Sequence, residues 1–154
     1  MATRSFIRYV LSILLLALCA MPAQAELVVI VAADSSVSYL SQDQVINIFM
    51  GRYRKLPDGR LAQPLDIGGE APERRDFYKK LLDKNLAEIN AYWARLVFSG
   101  RTMPPKAVLN QLEVLQKVAR DPSAIGYVER VSLNSQVRVV YALPEDRPPA
   151  ADAF

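Results

Sequence analysis

Histidine is absent from this sequence, and cysteine occurs once, at Cys19. Imidazole and thiolate groups are the usual ligands of zinc and haem iron and the usual partners in Cys–His catalysis. The sequence therefore predicts no metal centre, no cofactor and no such catalytic pair, and a serine nucleophile would lack a histidine base. We expect a protein that is not an enzyme.

Carboxylate chemistry is the one catalytic alternative that this composition leaves open. Asp66, Glu70 and Glu73 lie close together in the sequence, and paired carboxylates can act as general acid and general base. Helix caps and solvated helix faces use the same residue types far more often. A carboxylate-dependent hydrolase is therefore the least favoured of three functional hypotheses.

The first 25 residues have the pattern of a cleavable export signal. Two arginines precede an apolar run over 9–21 that is too short to cross a bilayer comfortably, and Ala23-Gln24-Ala25 is a small-x-small cleavage site. We expect a signal peptide over 1–25, cleavage after its last alanine and a periplasmic location. Cleavage also removes the single cysteine, so no disulfide can form.

The charge balance argues against nucleic acid as a partner. The sequence has 19 basic and 16 acidic residues, and loss of Arg4 and Arg8 with the leader leaves 17 basic residues and a net charge near +1. Proteins that bind nucleic acid carry a concentrated basic field. Removing 25 of the 154 residues leaves 129, the size of a single domain.

Apolar patterning after the leader alternates between strands and helices, which predicts an α/β fold with a mainly parallel sheet flanked by helices. The first strand is apolar throughout, as is typical of an inner strand of a parallel sheet. Pro64 places the second strand near an edge or delays its start to Leu65. Residues 144–154 are rich in proline, alanine and aspartate and should form a disordered tail. The predicted strands cover 26–32, 61–67, 124–128 and 136–143, and the predicted helices cover 41–50, 72–82, 86–98 and 106–120.

Two glycines have structural roles in this interpretation. Gly51 follows the first predicted helix and suits a left-handed C-cap. Gly126 interrupts an otherwise bulky strand, which indicates close packing of a neighbouring helix.

The aromatic residues divide into an exposed and a buried group. Tyr53 lies in a polar loop and Tyr127 lies beside Gly126, so both are the better candidates for exposure. The others have helical spacing and apolar neighbours and are expected in the core; they are Phe77, Tyr78, Tyr92, Trp93 and Phe98.

Three segments occur in an order that is typical of one family. They are the stretch 39–51, Arg74 with Phe77-Tyr78 followed by 92–100, and Ser123-Ala-Ile-Gly-Tyr-Val128. In this order they resemble the PstS-like phosphate ABC transporter substrate-binding proteins of the type 2 periplasmic-binding-protein superfamily, in particular the small, single-lobe members. The resemblance implies one such lobe over 26–143.

Two loops qualify as an oxyanion site, because ligands of open α/β sheets bind beyond the carboxyl ends of strands. One is the serine-containing loop after the first strand. The other is a glycine pair that runs into a helix start, where backbone N–H groups favour anions and arginines add positive charge. The predicted ligand-binding residues are Ser35, Ser36, Gly68, Gly69, Arg74 and Arg75.

The second loop also departs from the phosphate-binding family. The family has an arginine followed by Ser-Gly-Thr where this chain has 66–73, and no Ser-Gly-Thr occurs here. Glu70 and Glu73 would in addition repel a dianion. The alternative to a ligand-binding role for Arg74 and Arg75 is a position on a solvated helix face.

Two leading functions therefore remain open. The first is an exported protein that weakly binds phosphate or another small oxyanion for an ABC transporter, which the retained glycine pair and Arg74 favour. The second is a periplasmic interaction or sensing module that has lost the ligand site and docks on a membrane receptor or transporter. Loss of the Ser-Gly-Thr segment favours the second.

Overall fold

The computed structural model describes residues 26–144, so the predicted signal peptide and nearly all of the predicted tail lie outside the described residues. A single turn of 3₁₀ helix at Arg130–Ser132 connects the last two strands. The other elements are β1 Leu27–Ala32, α1 Gln42–Phe49, β2 Gln63–Ile67, α2 Pro72–Leu82, α3 Leu86–Phe98, β3 Lys106–Val108, α4 Gln111–Arg120, β4 Ala124–Glu129 and β5 Val137–Ala142.

The strands of the described region form one five-stranded sheet in the order β3-β2-β4-β1-β5. β2 pairs in parallel with β3 and with β4, and β1 lies antiparallel between β4 and β5. Every strand except β1 therefore runs in the same direction. The predicted α/β class, with a mainly parallel sheet flanked by helices, is confirmed.

The direction of β1 differs from the prediction. All of its residues are buried, as its apolar sequence indicates, but Leu27 pairs with Glu129 and Ile30 pairs with Gly126, which is an antiparallel register. A continuous apolar run reports burial on both faces of a strand and carries no information on its direction. The loop after β1 consequently lies at the opposite edge of the sheet from the loops after β2 and β4.

Pro64 lies inside β2 rather than ahead of it, and β2 is an interior strand. β3 begins only opposite Leu65, which pairs with Lys106. Pro64 has no backbone N–H, and it occupies a position where the neighbouring strand β3 has not yet started, so β3 loses no hydrogen bond there.

Adjacent residues of β4 contact helices on opposite faces of the sheet. A Cβ atom built on Gly126 would lie 2.4 Å from Val114 Cγ1, so α4 packs directly on this face. The ring of Tyr127 stacks on Phe77 of α2 with centroids 3.9 Å apart. Phe77 in turn contacts Phe49 of α1 at 4.8 Å between centroids. Hence α4 covers one face, and α1 and α2 cover the other.

The single helix predicted over 106–120 is wrong in its first third. Lys106–Val108 forms the edge strand β3, and α4 begins at Gln111 after Asn110, whose side-chain oxygen accepts a hydrogen bond from Glu113 N at 3.1 Å. This N-cap fixes the start of the helix. The helical spacing of Val108, Leu112, Leu115 and Ala119 predicts that these residues form the buried face, but Leu112 is 62% exposed. The buried residues of α4 are Val114, Leu115 and Val118.

Two aromatic predictions are wrong and the others agree with the structure. Tyr127 is fully buried, because helices cover both faces of β4, and Phe98 is 96% exposed, because it is the last residue of α3. Tyr53 is 51% exposed, as expected. Tyr92 is half-buried and donates a hydrogen bond to the Met50 carbonyl at 2.8 Å. The remaining aromatic residues of the helices are buried.

Candidate functional site

The carboxyl end of β2 opens into a cavity of about 270 Å³. β2 and the turn after it supply one wall, α2 and α3 supply another, and the segment that leads into β3 closes the third side. The residues that line the cavity are Asp66, Ile67, Gly68, Gly69, Arg74, Asn90, Trp93, Pro104, Pro105 and Ala107. It is the place at which open α/β sheets bind ligands.

A buried carboxylate occupies the centre of this region. Asp66 is 6% exposed. Its Oδ1 accepts a hydrogen bond from the Tyr127 hydroxyl at 2.6 Å, and its Oδ2 accepts hydrogen bonds from the Tyr78 hydroxyl at 3.0 Å and from Arg74 Nε at 2.9 Å. A buried carboxylate is stable only with such partners.

Arg74 is held on three sides by the chain itself. Beyond Asp66, its Nη1 donates to the Gly69 carbonyl at 3.0 Å and its Nη2 donates to Asn90 Oδ1 at 3.2 Å. The guanidinium carbon lies 5.6 Å from the centroid of the Tyr78 ring, and the side chain is only 12% exposed. Arg74 therefore does not lie on a solvated helix face, since its charge is paired with Asp66 and its N–H groups donate to fixed acceptors.

The two tyrosines act as permanent hydrogen-bond donors. Burial, reinforced by the Asp66 charge, raises the pKa of Tyr78 and of Tyr127 well above the ordinary tyrosine value. Both phenols therefore stay protonated at neutral pH. The Tyr127 oxygen also accepts a hydrogen bond from Ile67 N at 3.2 Å, which ties β4 to the end of β2.

The turn after β2 is shaped by its glycines. Gly68 N donates to the Val108 carbonyl at 2.8 Å, and a Cβ atom on Gly68 would lie 3.5 Å from that oxygen. Gly69 has a φ of +70°, a conformation that favours glycine. α2 then begins after Ala71, which provides no side-chain cap, with Pro72 in the first turn.

The structure does not bring all of the predicted site residues together. Gly68, Gly69 and Arg74 line the cavity, whereas Arg75 is exposed and donates to the Glu70 carbonyl at 3.1 Å. The reversed direction of β1 carries the serine loop to the opposite edge of the sheet.

The serine loop is tied into local structure at that edge. Ser35 is buried, and its hydroxyl oxygen accepts a hydrogen bond from Val37 N at 3.2 Å. The Ser36 hydroxyl donates to Asp58 Oδ2 at 2.9 Å. Neither serine is close to the glycine turn, so the two predicted loops form no common site.

The network that dominates the site has no clear signature in the sequence. The sequence places Asp66 beside carboxylates that suit helix caps and solvated faces, and it favours an exposed Tyr127. One signal was available: an aspartate between Leu65 and Ile67 of an apolar strand requires a buried partner. No pattern in the sequence identified Tyr78, Tyr127 and Asn90 as the groups that complete the network, because they come from three different elements.

Within residues 26–144, no group of three or more acidic residues could hold a metal ion. In the same range, no helix has the length and apolar character needed to cross a membrane.

Comparison with solved structures identifies similar folds. An ABC-type phosphate transport receptor from Vibrio cholerae superposes with a TM-score of 0.60 at 13% identity, over 75% of this chain and 45% of that chain. A protein from Clostridium perfringens described as a phosphate ABC transporter substrate-binding protein, with bound phosphate, gives 0.61 at 17% identity, over 75% and 44%. PstS from Borrelia burgdorferi gives 0.54 at 13% identity, over 75% and 46%.

These similarities establish a PstS-like, substrate-binding-protein-like fold for this chain. At such identities they carry the fold alone. The chain spans less than half the length of each of these proteins. No protein-family model matches the sequence, and comparison with curated protein sequences finds no relative.

Proposed function

We propose that this chain is an exported, single-lobe, substrate-binding-like protein that acts by recognising a membrane receptor or transporter and that binds no phosphate tightly on its own. One observation carries the proposal: the Asp66 carboxylate already pairs with Arg74 at 2.9 Å. The Asp66 carboxylate therefore already neutralises the Arg74 guanidinium that an incoming oxyanion would need. The protein is not an enzyme in this proposal, and the proteins of similar fold described above are transport proteins.

Electrostatic repulsion also disfavours the binding of an anion in the cavity. A phosphate dianion in the cavity would face the buried charge of Asp66, which lines it, and like charges repel at this range. Arg74 would have to give up its bond to Asp66, which leaves that buried carboxylate with its two tyrosine partners but without a counter-ion. A single lobe also buries less of a ligand than the 70–90% that is typical of ligand pockets.

Titration with phosphate tests the closed site. We expect the chain from Glu26 onward to bind phosphate and sulfate with a dissociation constant of about 1 mM or weaker, which is roughly −4 kcal/mol or less favourable. Isothermal titration calorimetry measures it, and Arg74→Ala should bind phosphate as weakly as the wild type does, because Arg74 pairs with Asp66 and not with a ligand. Micromolar binding that disappears in Arg74→Ala would overturn the proposal.

Two further measurements address export and recognition. The Ala23-Gln24-Ala25 site supports export, and the intact mass of the exported protein should correspond to a chain that begins at Glu26.

Recognition should give a discrete cross-linked product with one integral membrane protein when a photoreactive residue replaces Met103, an exposed position. The same replacement at Tyr39, which is also exposed, is the control; products that are equal at both positions would contradict specific recognition.

Weak oxyanion binding is the second candidate function, favoured by the cavity of about 270 Å³ beside Gly69 and by the absence of a side-chain cap on α2. Free N–H groups at a helix start attract anions. In this case Glu70→Gln should strengthen phosphate binding and Arg74→Ala should weaken it. Micromolar binding only by a dimer would mean that two chains jointly build a cleft.

A further inference from the structure

A second, larger depression lies beside the first half of β2 and the start of β3, on the far side of the segment 100–106 from the cavity. This basic groove has a volume of about 700 Å³ and is open to solvent. It is bounded by the loop after α1, the end of α3 and the segment that leads into β3. Met103, the cross-linking position chosen above, lines it.

Exposed apolar side chains gather at the basic groove. Tyr53 is 51% exposed, Leu61 63%, Val97 44% and Met103 74%, and all of them line it. Phe98, which follows Val97 at the end of α3, is 96% exposed. Single exposed apolar residues are ordinary, but a cluster bordered by polar residues is typical of an interaction surface.

The charge of the basic groove has one sign. Arg54, Arg101 and Lys106 line it, and no aspartate or glutamate is among its lining residues. Neither Arg54 nor Arg101 forms an ion pair with any residue in the range 26–144. Positive charge without local compensation beside apolar surface is complementary to an acidic partner.

The walls of the basic groove are held in place by hydrogen bonds and close packing. Arg54 Nη2 donates to the Arg101 carbonyl at 3.3 Å, which connects the loop after α1 to the segment after α3. Arg54 O accepts a hydrogen bond from Ala62 N at 2.9 Å. Gly51 in the floor has a φ of +71°, and a Cβ atom there would lie 2.9 Å from Trp93 Cη2 and 3.2 Å from Thr102 Oγ1. The groove is therefore preformed, which lowers the entropic cost of binding.

We infer that the basic groove binds an acidic segment of a protein partner that carries large apolar side chains, and this inference rests on the proposed role in protein recognition. The apolar residues would receive the partner's side chains, and Arg54 and Arg101 would pair with its carboxylates. A concave groove suits side chains of a polypeptide, whereas a bilayer surface requires a protruding apolar face. A small solute would stay largely hydrated in a depression this open.

Selection from a phage-displayed library of random short peptides tests the inference without prior choice of a partner. Peptides enriched on the wild-type chain should combine aspartate or glutamate with aromatic or large aliphatic residues. Fluorescence anisotropy with the best enriched peptide should show binding at least about tenfold weaker for Arg54→Glu/Arg101→Glu. The matched control is Lys80→Glu/Lys84→Glu, which makes the same change in net charge on another surface and should bind as the wild type does.

A second variant separates loss of binding from loss of folding. Leu61→Ser/Met103→Ser changes two exposed side chains, keeps both arginines and should weaken the peptide by a similar factor with an unchanged thermal midpoint. Failure to enrich any peptide, enrichment of basic peptides, or equal binding by all variants would overturn the inference. Binding to vesicles of phosphatidylglycerol without peptide binding would also overturn it, in favour of a membrane.

These outcomes are independent of the phosphate titration. Micromolar phosphate binding would remove the proposed function and leave the peptide result to stand or fall alone. Weak phosphate binding together with failed peptide selection would keep a recognition role but remove this surface from it.

Discussion

Asp66 sets the charge balance of the candidate site. Its two oxygens accept hydrogen bonds from two phenols and one guanidinium, and these donors come from α2 and β4. A buried ion pair adds little stability compared with apolar packing, but removal of one member leaves the other charge without compensation. Any variant that removes one member of this network should therefore have a lower free energy of unfolding.

Asp66→Ala should destabilise the protein by about 3–5 kcal/mol, because Arg74 loses its counter-ion and two buried hydroxyls lose their acceptor. The free energy of unfolding from urea titration measures the effect. Asp76→Ala changes an exposed carboxylate on α2 and should stay within about 0.5 kcal/mol of the wild type. Equal effects of the two substitutions would mean that the network contributes nothing specific.

Gly126→Ala should destabilise by about 1–3 kcal/mol, because the added methyl would lie 2.4 Å from Val114 Cγ1 and force α4 away from β4. The same measurement on Gly126→Ala/Val114→Ala gives the coupling. The second substitution removes the clash, so the pair should cost less than the sum of the single changes. Strict additivity would show that the helix accommodates the methyl without strain.

At the scale of elements, the segment 106–120 illustrates what a pattern can and cannot decide. Val108, Leu112 and Leu115 have helical spacing, which predicted one helix. The structure assigns 106–108 to an edge strand because β2 offers it a hydrogen-bonding partner, and this partner is remote in sequence. Strands that depend on such pairing are not encoded by local periodicity.

Asn110 marks the boundary between β3 and α4. Asn110→Ala should destabilise by about 1 kcal/mol, because Glu113 N loses the side-chain oxygen that caps it at 3.1 Å. Chemical denaturation measures it, and Gln116→Ala, an exposed position within α4, is the control. A cost for the control as large as that for Asn110→Ala would argue against a specific capping role.

At the scale of the whole molecule, buried phenols couple folding to alkaline pH. The pKa of Tyr78 and of Tyr127 is raised above the ordinary value of 10.0, first by burial and then by Asp66. Above pH 10 the unfolded chain releases these protons while the folded chain retains them, so stability that is fully present below pH 10 declines as the pH rises. Each tyrosine contributes a slope of up to about 1.4 kcal/mol per pH unit.

Urea unfolding from about pH 8 to about pH 11 checks this slope. Tyr53→Phe removes an exposed phenol and should preserve the slope, whereas Tyr78→Phe should reduce it. A profile that is flat through pH 11 would mean that both phenols ionise in the folded protein without cost.

The general architecture can be predicted from the sequence, because apolar runs indicate buried segments and the alternation of strand and helix patterns indicates an α/β fold. The apolar run of β1, the capping box that starts α1 at Ser41 and the glycine in β4 all have local signatures. The site does not follow, because its geometry depends on the direction of β1 and on contacts between α2, α3 and β4. Direction and long-range contacts leave no mark in a local pattern, so the sequence does not show that the loop with Ser35 lies at the opposite edge of the sheet from the glycine turn.

The pairing of β1 with β5 has a consequence for how this domain can be joined to other chains. Val28 pairs with Ala142, and Leu143 N donates to the Leu27 carbonyl at 3.0 Å. The polypeptide thus enters and leaves the domain through neighbouring positions at one edge, about 5 Å apart as in any antiparallel pair. Such an arrangement permits circular permutation and permits insertion into a loop of a host protein without distortion of either partner. The sheet itself holds the two ends of the described region, at Leu27 and Leu143, side by side.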